Sequence, residues 1–247
     1  ISVHALDEDS EFETPDAVFP NNWISFHKSH KAVLYPMYAS NRRLERKSST
    51  LEKLSNQGLN IEIIKDYSHF ENDNKFLEGT GSVVLDRKNK FAYCSISSRS
   101  DDELFRLFCS EMNYKPIVFN SIYQSKPIYH TNVMMCVADK YAIVCLDTVD
   151  DSDERRWLKS SLEGSGKEII EITEDQKHRF AGNMLQLMGD EKYLVMSKSA
   201  YDSLTEIQIE IIEKYNPIIS SSLDTIEACG GGSARCMMAE IFLPIQK

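Results

Sequence analysis

The chain has no excess of positive charge. Its 247 residues carry 28 Lys and Arg against 38 Asp and Glu, a formal net charge of −10. A phosphate backbone needs a basic footprint, so this balance argues against a nucleic-acid partner. Long apolar runs are missing too. The longest, Val133 to Leu146, is broken by Asp139 and Lys140, and a membrane-spanning helix needs about 20 predominantly apolar residues. None of the six cysteines forms a CxxC pair, and their spacing fits neither a zinc site nor a disulfide framework. Cys94, Cys109, Cys136 and Cys145 lie in apolar runs and read as buried free thiols. The set implies a reducing, cytoplasmic compartment. There is no initiating Met and no signal peptide.

What is present is ordinary for a globular protein, with 42% hydrophobic and 27% charged residues, arranged in a repeat. A strand–strand–helix–strand pattern recurs four times. The first runs over Val18–Phe26, Ala32–Pro36, a helix at Arg42–Ser55, and Ile61–Lys65. The second runs over Gly81–Asp86, Phe91–Ile96, a helix at Asp101–Met112, and Pro116–Ile122. The third runs over Asn132–Val137, Tyr141–Asp147, a helix at Asp153–Leu162, and Glu168–Ile172. The fourth runs over Met184–Met188, Tyr193–Met196, a helix at Leu204–Tyr215, and Pro217–Ser221. Ser100 with Glu103, and Ser203 with Glu206, predict capping boxes for the second and fourth helices. Two further strands, Ile1–Leu6 and Ala234–Leu243, make half of a fifth unit. Its absent strand and helix would place the natural start about 50–60 residues upstream. The expected fold is a single α/β domain over residues 1–247, a five-bladed pseudo-symmetric propeller of ββαβ units. The bland alternative is an unrelated α+β domain with several hairpins.

Four unit openings carry chemically useful residues. Gly230-Gly231-Gly232-Ser233-Ala234-Arg235-Cys236 sets a cysteine after a turn that can approach a ligand closely. Alone it reads more readily as a loop turn followed by a buried structural thiol. His130 opens the third unit in Ile128-Tyr129-His130-Thr131-Asn132. Glu78 sits in Phe76-Leu77-Glu78-Gly79-Thr80-Gly81-Ser82, and Asn21 and Asn22 sit in Phe19-Pro20-Asn21-Asn22-Trp23. Each alone fits a turn or capping role. In a propeller, however, unit openings converge on the axis, so the four would meet in one pocket. The remaining histidines read as structural: His27, His30 and His178 as surface residues, His4 as core or edge. Arg42, Arg43, Arg46 and Lys47 read mostly as a solvated helix face.

With these residues in hand, the chain resembles the guanidino-group-modifying superfamily of arginine deiminases and amidinotransferases, the pentein fold. The segments Phe19–Ser25, Pro36–Arg46, Leu77–Ser82, Tyr129–Asp139 and Gly230–Glu240 resemble its citrulline-hydrolase branch. The resemblance implies Cys236 as nucleophile, His130 as acid/base and Glu78 as helper carboxylate. It implies no metal or organic cofactor. Arginine deiminases hold a cationic guanidinium with two aspartates, where this chain has Asn22 and Asn132. Asparagine offers a donor and an acceptor, which suits a neutral ureido group. Two buried carboxylates there would be left with uncompensated charge. The expected reaction is hydrolysis of citrulline or a derivative to ornithine, ammonia and carbon dioxide through a covalent Cys adduct, with oxyanion donors near Gly230–Gly232. Arg42, Arg43 or Arg235 would anchor the substrate carboxylate, and Asn183 and Gln186 would line the pocket. The partner is then a small amino acid, and a homodimer is compatible. Arginine deiminase-like or amidinotransferase activity is the alternative. A non-catalytic module, like the pentein-fold ribosomal-subunit anti-association factor, is the second alternative.

Overall fold

The structure, a computed structural model, describes residues 3–5, 14–28, 31–59 and 61–242. Strand β1 (Ile24–His27) pairs antiparallel with β2 (Lys31–Leu34), α1 (Ser48–Asn56) crosses over, and β3 (Glu62–Asp66) returns parallel to β2. A one-turn helix α2 (Gly79–Ser82) leads into β4 (Val84–Asp86), β5 (Phe91–Ser95), α3 (Asp102–Met112) and β6 (Lys115–Phe119). A short hairpin, β7 (Ile122–Tyr123) with β8 (Lys126–Pro127), was not anticipated from sequence. Next come β9 (Met135–Val137), β10 (Tyr141–Val144), α4 (Ser152–Gly164), β11 (Glu168–Glu171) and α5 (Glu174–His178). Last are β12 (Leu185–Met188), β13 (Lys192–Ser197), α6 (Lys198–Ser203), α7 (Glu206–Glu213), β14 (Ile218–Ser221) and α8 (Asp224–Gly230).

Among the described residues, four three-stranded mixed sheets result, each with the second strand of its unit in the middle. The topology follows from linker length: a tight turn permits only antiparallel pairing, whereas a parallel return needs the helical crossover. Middle strands are mostly apolar and largely buried, as a strand covered on both faces requires. Ala92, Tyr93 and Cys94 of β5, and all of Tyr141–Val144 in β10, are fully buried. Tyr93 sits opposite Val84 on one side and Ile117 on the other. The inner strands follow one another, with β4 packed against β9 and β9 against β12. That order brings the unit openings together.

Helix α3 buries Leu104, Phe105, Phe108 and Cys109, spaced three and four residues apart. Its cap is Asp101, one residue after the expected Ser100, and accepts from Leu104 N–H at 2.9 Å. With Asp101 as the cap, Leu104 takes the third helical position, so Glu103 is out of place for a box and pairs with Lys75. In the fourth unit the box is Thr205 with Gln208, two residues beyond the expected pair. Ser203 instead ends α6, donating to Ala200 O at 2.7 Å.

Three expected strands begin late, because 3-10 turns at Pro20–Asn22 and Thr131–Val133, and helix α2, take up their first residues. The helix expected over Arg42–Ser55 is split into a 3-10 turn at Ser40–Glu45 and α1. Nor are the arginines a solvated face: Arg42 is buried against Glu45 and Arg46 is mostly buried on Glu71. The two half-unit strands do not form among the described residues: 3–5 and 234–242 are turn and irregular backbone. Residues 1, 2, 6 and 243 of those predictions lie outside the described set. A strand without a ladder partner leaves its N–H and C=O groups unpaired. Ala239 and Ile241 still pack against the core of the first unit. No described helix is long and apolar enough to cross a membrane.

Candidate active site

The site is assembled from turns that precede inner strands. Asn22 ends the 3-10 turn before β1, Asn132 lies in the turn before β9, and Asn183 lies in the turn before β12. Cys236 lies in the turn at 234–237, in the same local context: Asn22-Trp-Ile, Asn132-Val-Met, Asn183-Met-Leu and Cys236-Met-Met. Each polar residue is followed by apolar ones that anchor its turn. Trp23, Met134 and Met184 are buried.

The contacts join these turns into one cluster. His130 Nε2 lies 2.7 Å from Glu78 Oε2, and both side chains are buried. The other oxygen, Glu78 Oε1, accepts from Tyr38 N–H at 2.9 Å, and Arg99 Nη1 stands 3.5 Å from Oε2. Burial acts to raise the Glu78 carboxyl, yet His130, Arg99 and the Tyr38 N–H together hold it at about 2. Burial also lowers the His130 pKa from its usual value, against the pull of Glu78. The pair is therefore a carboxylate and a neutral imidazole whose proton sits on Nε2, because a carboxylate only accepts. That leaves a lone pair on Nδ1. Thr131 pins the segment, donating to Ser82 O at 2.5 Å and accepting from Ser95 N–H at 2.8 Å.

Cys236 is buried, with its sulfur facing two amide donors. Asn183 Nδ2 is 3.2 Å and Asn132 Nδ2 3.4 Å from Sγ. Asn183 Oδ1 in turn accepts from the N–H groups of Arg235 at 3.0 Å and Cys236 at 3.4 Å. Asn183 thus clamps both sulfur and backbone, a more direct role than the pocket lining expected from sequence.

Glycine makes the close approach possible. Gly79 has φ +46°, and a Cβ there would lie 2.2 Å from Asn21 O. A Cβ on Gly81 would lie 2.4 Å from Asn22 Nδ2 and 2.8 Å from His130 Nδ1. The missing side chain of Gly81 is what lets those two groups share one wall. In the Gly230–Gly232 turn only Gly231 has positive φ, and its carbonyl accepts from Tyr129 OH at 2.9 Å.

Four buried polar atoms here have no partner: both amide atoms of Asn21, Asn22 Nδ2 and Asn132 Oδ1. Unpaired buried polar atoms cost about 1–3 kcal/mol each, so a cluster of them marks a place for a polar ligand.

Of the expected residues, side-chain hydrogen bonds join Glu78 with His130, the buried Arg42 with Asn22, and both Asn132 and Asn183 with Cys236. The others go elsewhere. Arg43 is spent on Met37 O and Glu71. Gln186 bonds Asp139 N–H and Asn216. The Arg235 guanidinium turns away to Met238 O and Glu240, lining an 800 Å³ cavity that reaches the back of Asn132 and Thr80. Arg42 is held by Glu45, Asn22, Phe19 O and Asp16 O. Sequence reasoning missed Arg99, a partly exposed guanidinium 5.1 Å over the Tyr129 ring and 5.9 Å over Tyr38. Nothing in the local pattern singled it out. His27, expected on the surface, is buried and bonded to Ser25; His30 lies outside the described residues. Among the described residues no three of His, Cys, Asp and Glu group as metal ligands.

The chain belongs to the guanidino-group-modifying superfamily of pentein enzymes, as the sequence motifs implied. Within it, the family described as N,N dimethylarginine dimethylhydrolase, eukaryotic, matches residues 1–243, and the chain belongs to that family of C–N hydrolases. No curated protein matches by sequence. Among solved structures, apo ArgZ, an arginine dihydrolase from the ornithine-ammonia cycle in cyanobacteria, superposes with TM-score 0.73 at 18% identity over 96% of this chain. The chain spans about a third of that protein, 34%. The substrate-bound N-terminal domain of ArgZ gives TM-score 0.70 at 18% identity, covering 93% of this chain and 78% of the domain. A dimethylarginine dimethylaminohydrolase histidine-to-glycine variant, an adduct with S-methyl-L-thiocitrulline, gives TM-score 0.60 at 15% identity. That superposition covers 93% of this chain and 77% of the other. These superpositions establish the shared fold.

Proposed function

We propose that this chain is a cysteine hydrolase that cleaves the C–N bond of a ureido group, with citrulline or a citrulline derivative as substrate. One observation carries the choice of group: Asn22 Nδ2 and Asn132 Oδ1 are both buried and unpartnered, one a donor and one an acceptor. A ureido carbonyl and its NH2 complement that pair. A guanidinium presents only donors and would oppose the Asn22 amide. The four units would then belong to a single five-bladed ring, with 234–242 contributing to the fifth blade.

In the reaction, His130 Nδ1 takes the Cys236 proton and the thiolate attacks the ureido carbon. Asn183 Nδ2 holds the sulfur, and Asn22 Nδ2 donates to the carbonyl oxygen as negative charge develops on it. Imidazolium His130, held by Glu78, returns the proton to the departing ammonia. The remaining S-carbamoyl adduct has the substrate amine still attached. Water activated by His130 releases it as a carbamate, which falls apart to amine and carbon dioxide. Arg99, at the rim, anchors the substrate carboxylate.

A second reading is hydrolysis of arginine or a methylated arginine. The family description favours it, and Glu78 supplies a buried negative charge for a cation. Incubation with citrulline, arginine and N-methylated arginines, scored for ammonia and methylamine, decides between them. Ammonia from citrulline that disappears in Cys236→Ala is the expected result. Product from guanidino substrates alone would replace the ureido reading with the second.

A further inference from the structure

Behind the active site, the far ends of the inner strands close on a second cavity. Strands β1, β4, β9 and β12 run away from the unit openings. At about 3.3 Å per residue, three or four residues carry the chain about 10–13 Å. The cavity measures about 800 Å³ and reaches Thr80 and Asn132 from behind. Its lining includes Asp86, Glu111, Asp139 and Glu240. The first three are matched by lysines that stand outside the lining: Asp86 by Lys167 at 3.0 Å, Glu111 by Lys65 at 2.6 Å, and Asp139 by Lys192. That leaves Glu240 for the lining cations Lys28, Lys31, Arg87, Lys88, Lys90 and Arg235. Its Oε2 is shared by Arg235 Nη2 at 3.5 Å and Arg87 Nη2 at 3.8 Å. Among the described residues the four lysines make no ion pair. Arg235 is 8% exposed, and Nη1 donates to Met238 O at 2.7 Å. Burial pushes its pKa down, and the shared Glu240 only partly offsets that. His27 adds no charge to this wall, because burial beside Arg87 and Lys90 holds it at about 3. A chain of net charge −10 thus keeps a cationic cleft, with Lys88 and Lys90 in the β4–β5 turn facing the same space as Lys28 and Lys31 of the β1–β2 hairpin.

We propose that this back cavity binds a small multivalent anion, a phosphate or polycarboxylate carrying two or more charges, held by Arg235 and Arg87 inside and by Lys28, Lys31, Lys88 and Lys90 at the mouth. Like charges gathered in one cleft repel one another, and a cleft of one sign concentrates the opposite ion. Guanidinium forks match the paired oxygens of phosphate and carboxylate. A singly charged ion would leave most of the surplus in place. The depth of the site comes from Arg235, which is buried, whereas the lysines are exposed. Arg235 also precedes Cys236, and Asn183 Oδ1 accepts from the N–H groups of both, at 3.0 and 3.4 Å. An anion drawn to Arg235 therefore lies one residue from the turn that carries the sulfur. The proposal does not rest on the ureido reading and stands equally for a guanidino substrate.

The test uses pyrophosphate and citrate as probes. The full chain is melted in low-salt buffer with each, and with sodium chloride at matched ionic strength. A saturable rise in Tm is expected with at least one probe, about 5–10 °C at a hundred times its Kd, and no such rise with chloride. A rise with pyrophosphate alone assigns the site to phosphates, and with citrate alone to polycarboxylates. Lys88→Gln with Lys90→Asn then removes two cations from the mouth. Both side chains are exposed, and asparagine tolerates the φ of +61° at position 90. This pair of changes should raise Kd by about fivefold or more, the scale of two exposed charge contacts. Lys198→Gln with Lys214→Gln makes the same change in net charge away from the cavity lining and should leave Kd within about twofold, because distant exposed charges are screened. Arg99→Gln, on the catalytic side, should also leave it unchanged. An absent or unsaturable rise, an equal rise with chloride, or equal weakening in the two lysine variants overturns the proposal. Loss of binding in Arg99→Gln would place the anion in the active site and overturn it too.

Discussion

Replacing Gly81 by alanine adds one methyl group at the point where three turns meet. The new Cβ would lie 2.4 Å from Asn22 Nδ2, 2.8 Å from His130 Nδ1 and 3.0 Å from His130 Cε1. Gly81 is not in the left-handed region, so alanine meets no backbone penalty. Helix propensity alone would favour the change by about 1 kcal/mol. The steric term opposes it. Neither neighbour is a free side-chain end: Asn22 is fixed by Arg42 and His130 by Glu78. Overpacking of this kind costs about 1–3 kcal/mol, so a net loss of about 0–2 kcal/mol is expected in urea unfolding. Activity should suffer far more. A displacement of about 1 Å at a reacting centre costs about 100-fold, roughly 2.7 kcal/mol in barrier. The assay is kcat/KM for ammonia release beside a urea melt of the same preparation. Gly164→Ala is the control: it ends α4, and its Cβ would meet nothing within 4 Å. It should leave both measurements unchanged or slightly raise stability. Wild-type kcat/KM in Gly81→Ala would refute the close approach on which the site depends.

Two further outcomes concern stability. Lys167 and Asp86 form a buried ion pair at 3.0 Å, with Lys167 also donating to Asp139 O at 3.1 Å. Lys167→Met should cost about 3–5 kcal/mol in denaturant unfolding, with part recovered by adding Asp86→Asn; a cost below about 1 kcal/mol would show the pair to be solvated. Burial, with Arg87 and Lys90 nearby, holds His27 down to about 3, so between that value and its usual 6.5 the unfolded chain binds one more proton than the folded one. Stability must therefore rise with pH across that window, by at most about 1.4 kcal/mol per unit from this group. His27→Gln should flatten that slope in thermal melts taken from pH 4 to 7, and an unchanged slope would place the acid sensitivity elsewhere.

The units were legible because their signals are local. Apolar runs of middle strands such as Tyr141–Val144, and the recurrence of Leu104 and Phe108 four residues apart, can be read within one segment, although Leu107 of the same expected stripe is exposed and Phe105 is buried instead. Boundaries slipped where a side chain had a distant partner. The cap of α3 moved to Asp101, which puts Leu104 where Glu103 was expected, and Arg42 lies in a 3-10 turn, bonded to the distant Asn22, where a helix was expected.

By itself the sequence determined the repeat and which side chains stand at each unit opening, the asparagines at positions 22 and 132 among them. Only the tertiary structure decided how those groups face. An asparagine has a donor end and an acceptor end, and nothing along the chain says which one points inward. Arg42 decides it for Asn22, and the Cys236 sulfur takes the Asn132 donor and leaves its oxygen free. Both partners are remote in sequence, so the polarity of the site exists only once the chain has closed on itself.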